Sequence, residues 1–277
     1  MRPEARACVD RALDLLQRHS IDSKKADWPA LRAQAHATDD PDEAIRGVIA
    51  ALGNPHTHLV TAERASSPRR TGVPTGRLTG STGWLVLPGT HARYGRGYVT
   101  AGLKALRELI AARPTGWVVD LRGNGGGAMH PMLAVVAPLL GDGELGRFVG
   151  PHGGTSWGIR RGHVRNGTKT AFRLRRVPAA RSEPVAVLVD RRTASSGEAV
   201  LISFLGAPDV RTFGEPTAGY ATANQTFPLP GGAQLAITTA LMADRTGRTY
   251  GNNPITPHVV VEDALAAAIE WLSPKQR

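Results

Sequence analysis

The chain has 277 residues, of which 41% are hydrophobic and 21% charged, and this composition is typical of a globular protein rather than a disordered one. No apolar run reaches the roughly 18 residues that a membrane-spanning helix needs, and the N-terminus lacks the apolar core of a signal peptide. We therefore expect a cytoplasmic protein with no membrane partner. Cys8 is the single cysteine, which excludes an internal disulfide and a cage of thiolate metal ligands.

The net charge is +11, and most of the excess comes from arginine. Basic side chains are densest between residues 160 and 181, as Arg160, Arg161, Arg165, Lys169, Arg173, Arg175, Arg176 and Arg181. A surface that binds nucleic acid combines such charges with stacking aromatic rings, and only Phe172 interleaves here. The stretch therefore predicts a solvated surface and no nucleic-acid partner. The alternative is that these charges attract an anionic part of a substrate or product.

The first 53 residues predict helices. Apolar residues recur at helical spacing early in the chain, and a second helix start is marked by three signals. Asp40 can cap the helix, Pro41 suits its first position, and Glu43 completes a capping box. Gly53 ends this helix. A loop that contains two histidines follows.

From residue 83 onward, apolar strands alternate with amphipathic helices. Strands are expected near residues 84–87, 117–121 and 185–189, and helices near residues 98–112, 129–140 and 196–205. The tail predicts strands at 210–213, 225–229 and 234–242 and a closing helix at 263–272, whereas 64–82 predicts a loop or a ragged edge strand. Such alternation indicates an α/β core. We place a helical lobe at residues 1–60 and this core at residues 61–277.

A first strand–turn–helix junction runs Asp120-Leu121-Arg122-Gly123-Asn124-Gly125-Gly126-Gly127. A helix start leaves backbone N–H groups without acceptors, and glycines let a ligand approach that backbone closely. The junction therefore predicts an anion site, which in a hydrolase holds an oxyanion. A plain tight turn is one alternative. A dinucleotide fingerprint, Gly123-x-Gly125-x-x-Ala128, is another, but no acidic residue ends a second strand at the expected distance, so no cofactor is predicted.

A second junction runs Asp190-Arg191-Arg192-Thr193-Ala194-Ser195-Ser196-Gly197-Glu198. A buried strand enters a sharp turn and a helix starts at once, which is a geometry that exposes a serine oxygen for attack. The helix start stabilises negative charge on that oxygen and on a tetrahedral intermediate. The alternative is a structural cap, with Ser195 or Ser196 at the N-cap and Glu198 in the first turn.

A nucleophilic serine needs a base, which is usually a histidine. His56 and His58 lie in the loop after the capped helix, which is a suitable place for a functional group. His258 lies downstream of Ser195. No further ligand types cluster with His56 and His58, so no metal site is predicted.

Four segments in the order of one family resemble the tail-specific, or C-terminal-processing, serine proteases. They are the glycine junction at 120–126, the serine junction at 193–198, Gly214-Glu215-Pro216-Thr217-Ala218-Gly219, and the terminal strands with Pro254-Ile255-Thr256-Pro257. The resemblance covers residues 40–275 and implies a crotonase- and ClpP-like superhelical core. It also implies that Ser195 is the nucleophile. The amides of Ser195 and Ser196, with Gly125 or Gly126, would then form the oxyanion hole.

The sequence departs from the best-known branch of that family, which uses a lysine base. Tyr220 stands at the lysine position, with Asn224 close by as a further substrate-site candidate. The segment Gly53-Asn54-Pro55-His56-Thr57 is similar to the histidine motif of the branch that includes the tricorn core, so the resemblance implies His56 as general base. Candidates for the third residue are Glu198, Glu215 and Asn224. The chain between His56 and the glycine junction is too short for the PDZ insert of many relatives.

We therefore expect a serine peptidase that acts on peptide or protein substrates through a Ser195 acyl-enzyme. Two alternatives remain open at this point. The first is an esterase of the α/β-hydrolase kind, because Ser195, Asp244 and His258 follow its order of serine, acid and histidine. The second is a non-catalytic peptide-binding relative with the same fold.

Overall fold

The structure is a computed structural model that describes residues 1–66, 71–151, 153–174 and 183–273. Arg175, Arg176 and Arg181 of the basic stretch lie outside the described residues. Among the described residues, no helix is long and apolar enough to cross a bilayer.

The helices and strands follow the α/β alternation expected from the sequence. In chain order they are α1 (Pro3–His19), α2 (Trp28–Ala37), α3 (Pro41–Leu52), β1 (His58–Val60), α4 (Ala62–Ser66), β2 (Thr75–Thr79), β3 (Thr82–Val86), α5 (Gly95–Ala111), β4 (Gly116–Asp120), α6 (Met129–Leu140), β5 (Gly143–Gly150), β6 (Gly153–Arg160), β7 (His163–Asn166), β8 (Lys169–Phe172), β9 (Val185–Val189), α7 (Ser196–Phe204), β10 (Val210–Gly214), β11 (Thr222–Pro228), β12 (Gln234–Asp244), β13 (Thr249–Tyr250), β14 (Val259–Val260) and α8 (Ala264–Leu272). The expected α/β fold class is confirmed.

Contacts between Cα atoms divide the chain into two units. The first consists of Met1–Arg69, Gly150–Gly153 and Thr222–Leu241, and the second of the remaining residues. Two segments that are distant in sequence thus belong with the N-terminal helices. The domains expected at residues 1–60 and 61–277 stay a prediction.

The first unit combines α1 to α4 with β1, β11 and residues 234–241 of β12. The start signals for α3 act as expected, because the Asp40 carboxylate accepts the Glu43 N–H at 2.8 Å and Gly53 ends the helix with φ of 68°. One buried cluster joins apolar stripes of α1 and α3 to Leu235 and Ile237 of β12. Strand β12 pairs antiparallel with both β1 and β11. The loop that contains His56 therefore leads directly into β1, a strand of this sheet.

The second unit is built on a six-stranded sheet in the order β14-β10-β9-β4-β3-β2. All neighbours in it are parallel except β2, which is an antiparallel edge strand in the region expected to be a loop or ragged edge. Alternate residues of β4 and β9 belong to two clusters, one that includes residues of α5, α6 and α7 and one that includes residues of α8. Since β4 and β9 are adjacent and parallel, the turns that follow them lie at the same edge of the sheet.

Residues 143–172 form four strands that the sequence patterns did not predict. Strands β5 to β8 are successive neighbours in a second sheet. Glycines and charged residues interrupt their apolar alternation, and the inward face is marked chiefly by Trp157, Ile159 and Val164. The pairing of these strands, rather than local apolar periodicity, is what distinguishes them from loops.

We expect Phe204→Ala to lower the free energy of unfolding by about 3–5 kcal/mol, because Phe204 is fully buried in the core that holds α7. Urea unfolding followed by circular dichroism measures this change. Val260→Ala, at a side chain that is 62% exposed, is the control and should change the free energy by less than about 0.5 kcal/mol. Equal effects of the two substitutions would contradict the packing described above.

Candidate active site

Ser195 occupies a strained position at the start of α7. Its backbone has φ of 52° and ψ of −116°, a region that costs a non-glycine residue about 1–3 kcal/mol. The side chain is half-buried. Ser196 is the first helical residue, and its N–H is among those that a helix leaves without an intrahelical acceptor. The serine turn therefore combines a half-buried serine, a helix start and backbone strain.

The glycine junction lies directly against this turn. A Cβ atom built on Gly126 would fall 2.9 Å from Ser196 N and 3.0 Å from Ser195 Cβ, so no other residue type fits there without displacement. Ala194 N–H donates to Asn124 O at 2.9 Å, and Ser196 Oγ donates to Gly127 O at 2.7 Å. The structure thus brings together the two junctions that the sequence singled out.

The amides of the two predicted glycine donors are engaged inside their own loop. Gly125 N–H donates to Gly123 O at 3.1 Å, and Gly126 N–H donates to Asn124 Oδ1 at 2.9 Å. Their use as oxyanion donors stays a prediction. Because Gly126 has no side chain, its backbone lies close to the backbone of the serine turn.

Asn124 is a residue of the motif to which sequence reasoning assigned no role. Its side chain is completely buried, and its Nδ2 donates to Leu87 O at 2.7 Å while its Oδ1 accepts the Gly126 N–H. A buried amide with partners on both atoms holds the backbone that touches it in one arrangement. Asn124 therefore sets the shape of the glycine junction.

Glu198 is a buried carboxylate that holds the serine turn to the following segment. Its Oε2 accepts the N–H of Ser195 and of Tyr220, both at 2.8 Å. Its Oε1 accepts Thr217 Oγ1–H at 2.5 Å and Gly219 N–H at 3.1 Å. Burial raises the pKa of this carboxyl, and the donated hydrogen bonds counteract the rise. The recorded contacts of Glu198 thus position the backbone of Ser195 and Tyr220.

His56 lies in the first unit, where its backbone and ring are both held. Its N–H donates to Asn54 Oδ1 at 3.1 Å, and its carbonyl accepts Asn224 Nδ2–H at 2.7 Å. Its Nδ1 lies 2.6 Å from Thr222 Oγ1. The pKa of His56 is lowered to about 4, mainly because the ring is buried and to a smaller extent because His58 is nearby. The imidazole is therefore neutral at pH 7, as a proton acceptor must be.

A buried polar network lies beneath the histidine loop. Asn54 Nδ2 donates to Asp22 Oδ2 at 2.7 Å, and Thr238 Oγ1 lies 3.2 Å from Asn54 Oδ1 and 2.9 Å from Asn224 Oδ1, so that its single proton is shared between these oxygens or donated to one of them. Asn224, expected at the substrate site, is thus a member of the network that holds His56. Thr222 was not singled out by the sequence, and only its place on β11 beside Asn224 points to it.

The residues of the esterase alternative are bound elsewhere. Asp244 accepts hydrogen bonds from Thr246 and Tyr250, and His258 Nδ1 accepts the Thr212 N–H at 3.1 Å. These contacts hold a turn and a strand end, and they form no relay between the acid and the histidine. They therefore give no support to the alternative in which Ser195, Asp244 and His258 form a triad.

The other third-residue candidate, Glu215, forms an exposed ion pair with Arg191. Within the described parts of the chain, no group of three or more His, Cys, Asp or Glu side chains could hold a metal ion.

Comparisons with known proteins identify the family. The model of Peptidase family S41 matches residues 96–261, which include both junctions. The chain belongs to this family. The nisin-resistance protein of Lactococcus lactis subsp. lactis is 39% identical over 158 residues, which are 57% of this chain and 49% of that protein. A carboxy-terminal-processing protease of Bartonella bacilliformis (strain ATCC 35685 / KC583 / Herrer 020/F12,63) is 27% identical over 165 residues, or 58% of this chain and 35% of that protein. The matched part of the chain thus spans half or less of the length of each of these two relatives.

Solved structures confirm the fold. A lipoprotein from Streptococcus agalactiae matches with a TM-score of 0.81 at 24% identity, over 98% of this chain and 97% of that one. The photosystem II D1 C-terminal processing protease matches with a TM-score of 0.68 at 16% identity, over 99% of each chain. The resemblance to tail-specific proteases that the motifs indicated is confirmed.

We expect Glu198→Gln to lower the free energy of unfolding by about 1–3 kcal/mol, because the amide turns one acceptor into a donor that faces N–H groups. Chemical unfolding at pH 7 measures the change. Glu108→Gln, at an exposed residue of α5, is the matched control and should have little effect. A Glu198 variant as stable as this control would refute the positioning role.

His56 also predicts a pH dependence of stability. Its pKa falls from 6.5 to about 4 on folding, so the unfolded chain binds more protons between these values. The free energy of unfolding therefore decreases as the pH falls through that window. We expect His56→Gln to flatten this part of the profile, whereas His91→Gln, at an exposed site, leaves it unchanged. Denaturant unfolding at a series of pH values tests this, and identical slopes for the wild type and the His56 variant would contradict it.

Proposed function

We propose that this protein is a serine peptidase in which Ser195 forms the acyl-enzyme and His56 is the general base. The observation that carries the proposal is the strained helix start at Ser195, with the glycine backbone of residue 126 against it. A serine that only caps a helix requires neither a strained backbone nor a glycine packed against it. Membership of peptidase family S41 over the same residues supports the same conclusion.

The reaction follows from the chemistry of these groups. His56 Nε2 takes the proton of Ser195 Oγ while Oγ bonds to the carbonyl carbon of a peptide. The oxyanion that forms is stabilised by the α7 start, where the Ser196 N–H is the proposed donor, and one such donor is worth about 3 kcal/mol. The imidazolium then protonates the leaving amine, and the C–N bond breaks. Water, deprotonated by the same imidazole, releases the acyl group and restores Ser195.

The choice of a histidine base rests on two observations. Tyr220 stands where the lysine-using branch has its base, and its N–H is bound to Glu198. His56 has a neutral imidazole at pH 7 and a backbone held on both sides. A neutral histidine accepts a proton directly, whereas a lysine first has to lose one.

Peptides or proteins are the proposed substrates. Because one relative is a nisin-resistance protein, nisin belongs among the peptides to be tested beside a general peptide library. The cytoplasmic location expected from the sequence stays a prediction.

Labelling by a fluorophosphonate probe tests the nucleophile and the base. We expect Ser195→Ala to abolish labelling, since the probe reacts with an activated serine, and His56→Ala to lower its rate by a factor of about 10² or more. Ser196→Ala should still be labelled. His258→Ala is the matched histidine control and should react like the wild type, because its ring is held by Thr212.

Undiminished labelling of the Ser195 variant would overturn the proposal. A wild-type protein that is inert to the probe and cleaves no peptide, yet retains a bound peptide, would establish the binding-module alternative instead.

A further inference from the structure

The base of a serine hydrolase needs a group that holds its ring, and in most such enzymes this group is a carboxylate. In the first unit, the His56 ring contacts a hydroxyl: Nδ1 lies 2.6 Å from Thr222 Oγ1. The three third-residue candidates from the sequence have other recorded contacts. Glu198 holds the serine turn, Glu215 pairs with Arg191, and the side chain of Asn224 binds the His56 carbonyl.

We propose that Thr222 is the positioning residue of the general base: its hydroxyl oxygen accepts the Nδ1–H of His56, so that Nε2 is the nitrogen that takes the proton of Ser195. This inference rests on the proposed function. It goes beyond that function because it names the group that selects the tautomer and the ring orientation.

The placement of Thr222 suits this role. Only 1% of its surface is exposed, and a β-branched side chain in a strand has few χ1 choices, so Oγ1 is held in place. Thr222 and Asn224 are two apart on β11, and both reach His56, one at the ring and one at the carbonyl. One strand therefore holds the histidine at two points.

A β-bulge lies between these two contacts. The pairing of β11 with β12 shifts between Ala223 and Asn224, so that Thr222 pairs with Leu241 while Asn224 pairs with Thr238. Bulges re-aim side chains and are common beside active sites. Here the bulge lies between Thr222, which contacts the His56 ring, and Asn224, which binds the His56 carbonyl.

A hydroxyl has a different electrostatic effect from a carboxylate. It accepts the Nδ1–H without adding negative charge, so it does not stabilise the imidazolium as an acid would. Two neighbours of His56 in this unit have contacts of their own: His58 contacts the His56 carbonyl, and Asp22 is paired with Lys25 and Asn54. Burial is the main cause of the low pKa of His56.

The experiment uses the full chain and measures the rate of fluorophosphonate labelling as a function of pH. We expect Thr222→Val, which keeps the shape and removes the hydroxyl, to slow labelling about 100-fold at pH 7. Thr222→Ser should restore most of the rate. Thr226→Val, a similar change at an exposed residue of the same strand, should label like the wild type. Thr222→Asp should move the acid limb of the profile upward by about one pH unit or more.

A second readout does not depend on the rate of labelling. In protein labelled with ¹⁵N-histidine, NMR at pH 7 should show the His56 proton on Nδ1, and in Thr222→Val this preference should be lost. A proton on Nε2 in the wild type overturns the inference. So does a Thr222→Val variant that folds and reacts at the wild-type rate.

Failure of the inference and failure of the proposed function are distinguishable. If Ser195→Ala abolishes labelling and His56→Ala slows it while Thr222→Val reacts at the wild-type rate, the peptidase stands and only the role of Thr222 fails. If Ser195→Ala is labelled normally, the peptidase proposal fails first.

Discussion

The contact between two backbone turns, with no side chain between them, is the constraint on which the second unit depends. A Cβ on Gly126 would approach Ser196 N to 2.9 Å, and one on Gly197 would approach Asn124 O to 2.5 Å. Each turn therefore has a glycine where it meets the other. Adjacent parallel strands, β4 and β9, bring the turns to the same sheet edge, and the glycines let them close to backbone contact.

Buried polar side chains hold the backbone at both of the proposed functional residues. In the second unit, Glu198 accepts the Ser195 N–H and Asn124 accepts the Gly126 N–H. In the first unit, Asn54 and Asn224 bind the N–H and the carbonyl of His56. Buried groups of this kind are costly when they lose a partner, so each network favours one arrangement of its loop. Both halves of the proposed machinery are thus preorganised by the same physical means.

Family membership and local geometry answer different questions about this chain. The family indicates the class of chemistry, whereas the contacts show how individual residues of this chain are held. Tyr220, which the resemblance aligns with the lysine position, contributes a backbone N–H to Glu198. A threonine hydroxyl contacts the histidine ring. Burial of the ring favours a base that stays unprotonated at mildly acidic pH.

The sequence by itself determined what is local. Caps and apolar periodicity predicted α3, α6, β4 and β9, and the glycine and serine motifs predicted the two junctions and the fold class. The tertiary structure decided the rest. Strands β5 to β8 lack a clear alternation, residues 222–241 belong to the same unit as the N-terminal helices, and Asp244 and His258 have separate structural partners. The role of Thr222 depends on strand register and a bulge, which bring a residue 166 positions away to the ring of His56. Such a pairing leaves no local pattern, because it arises only when the strands align.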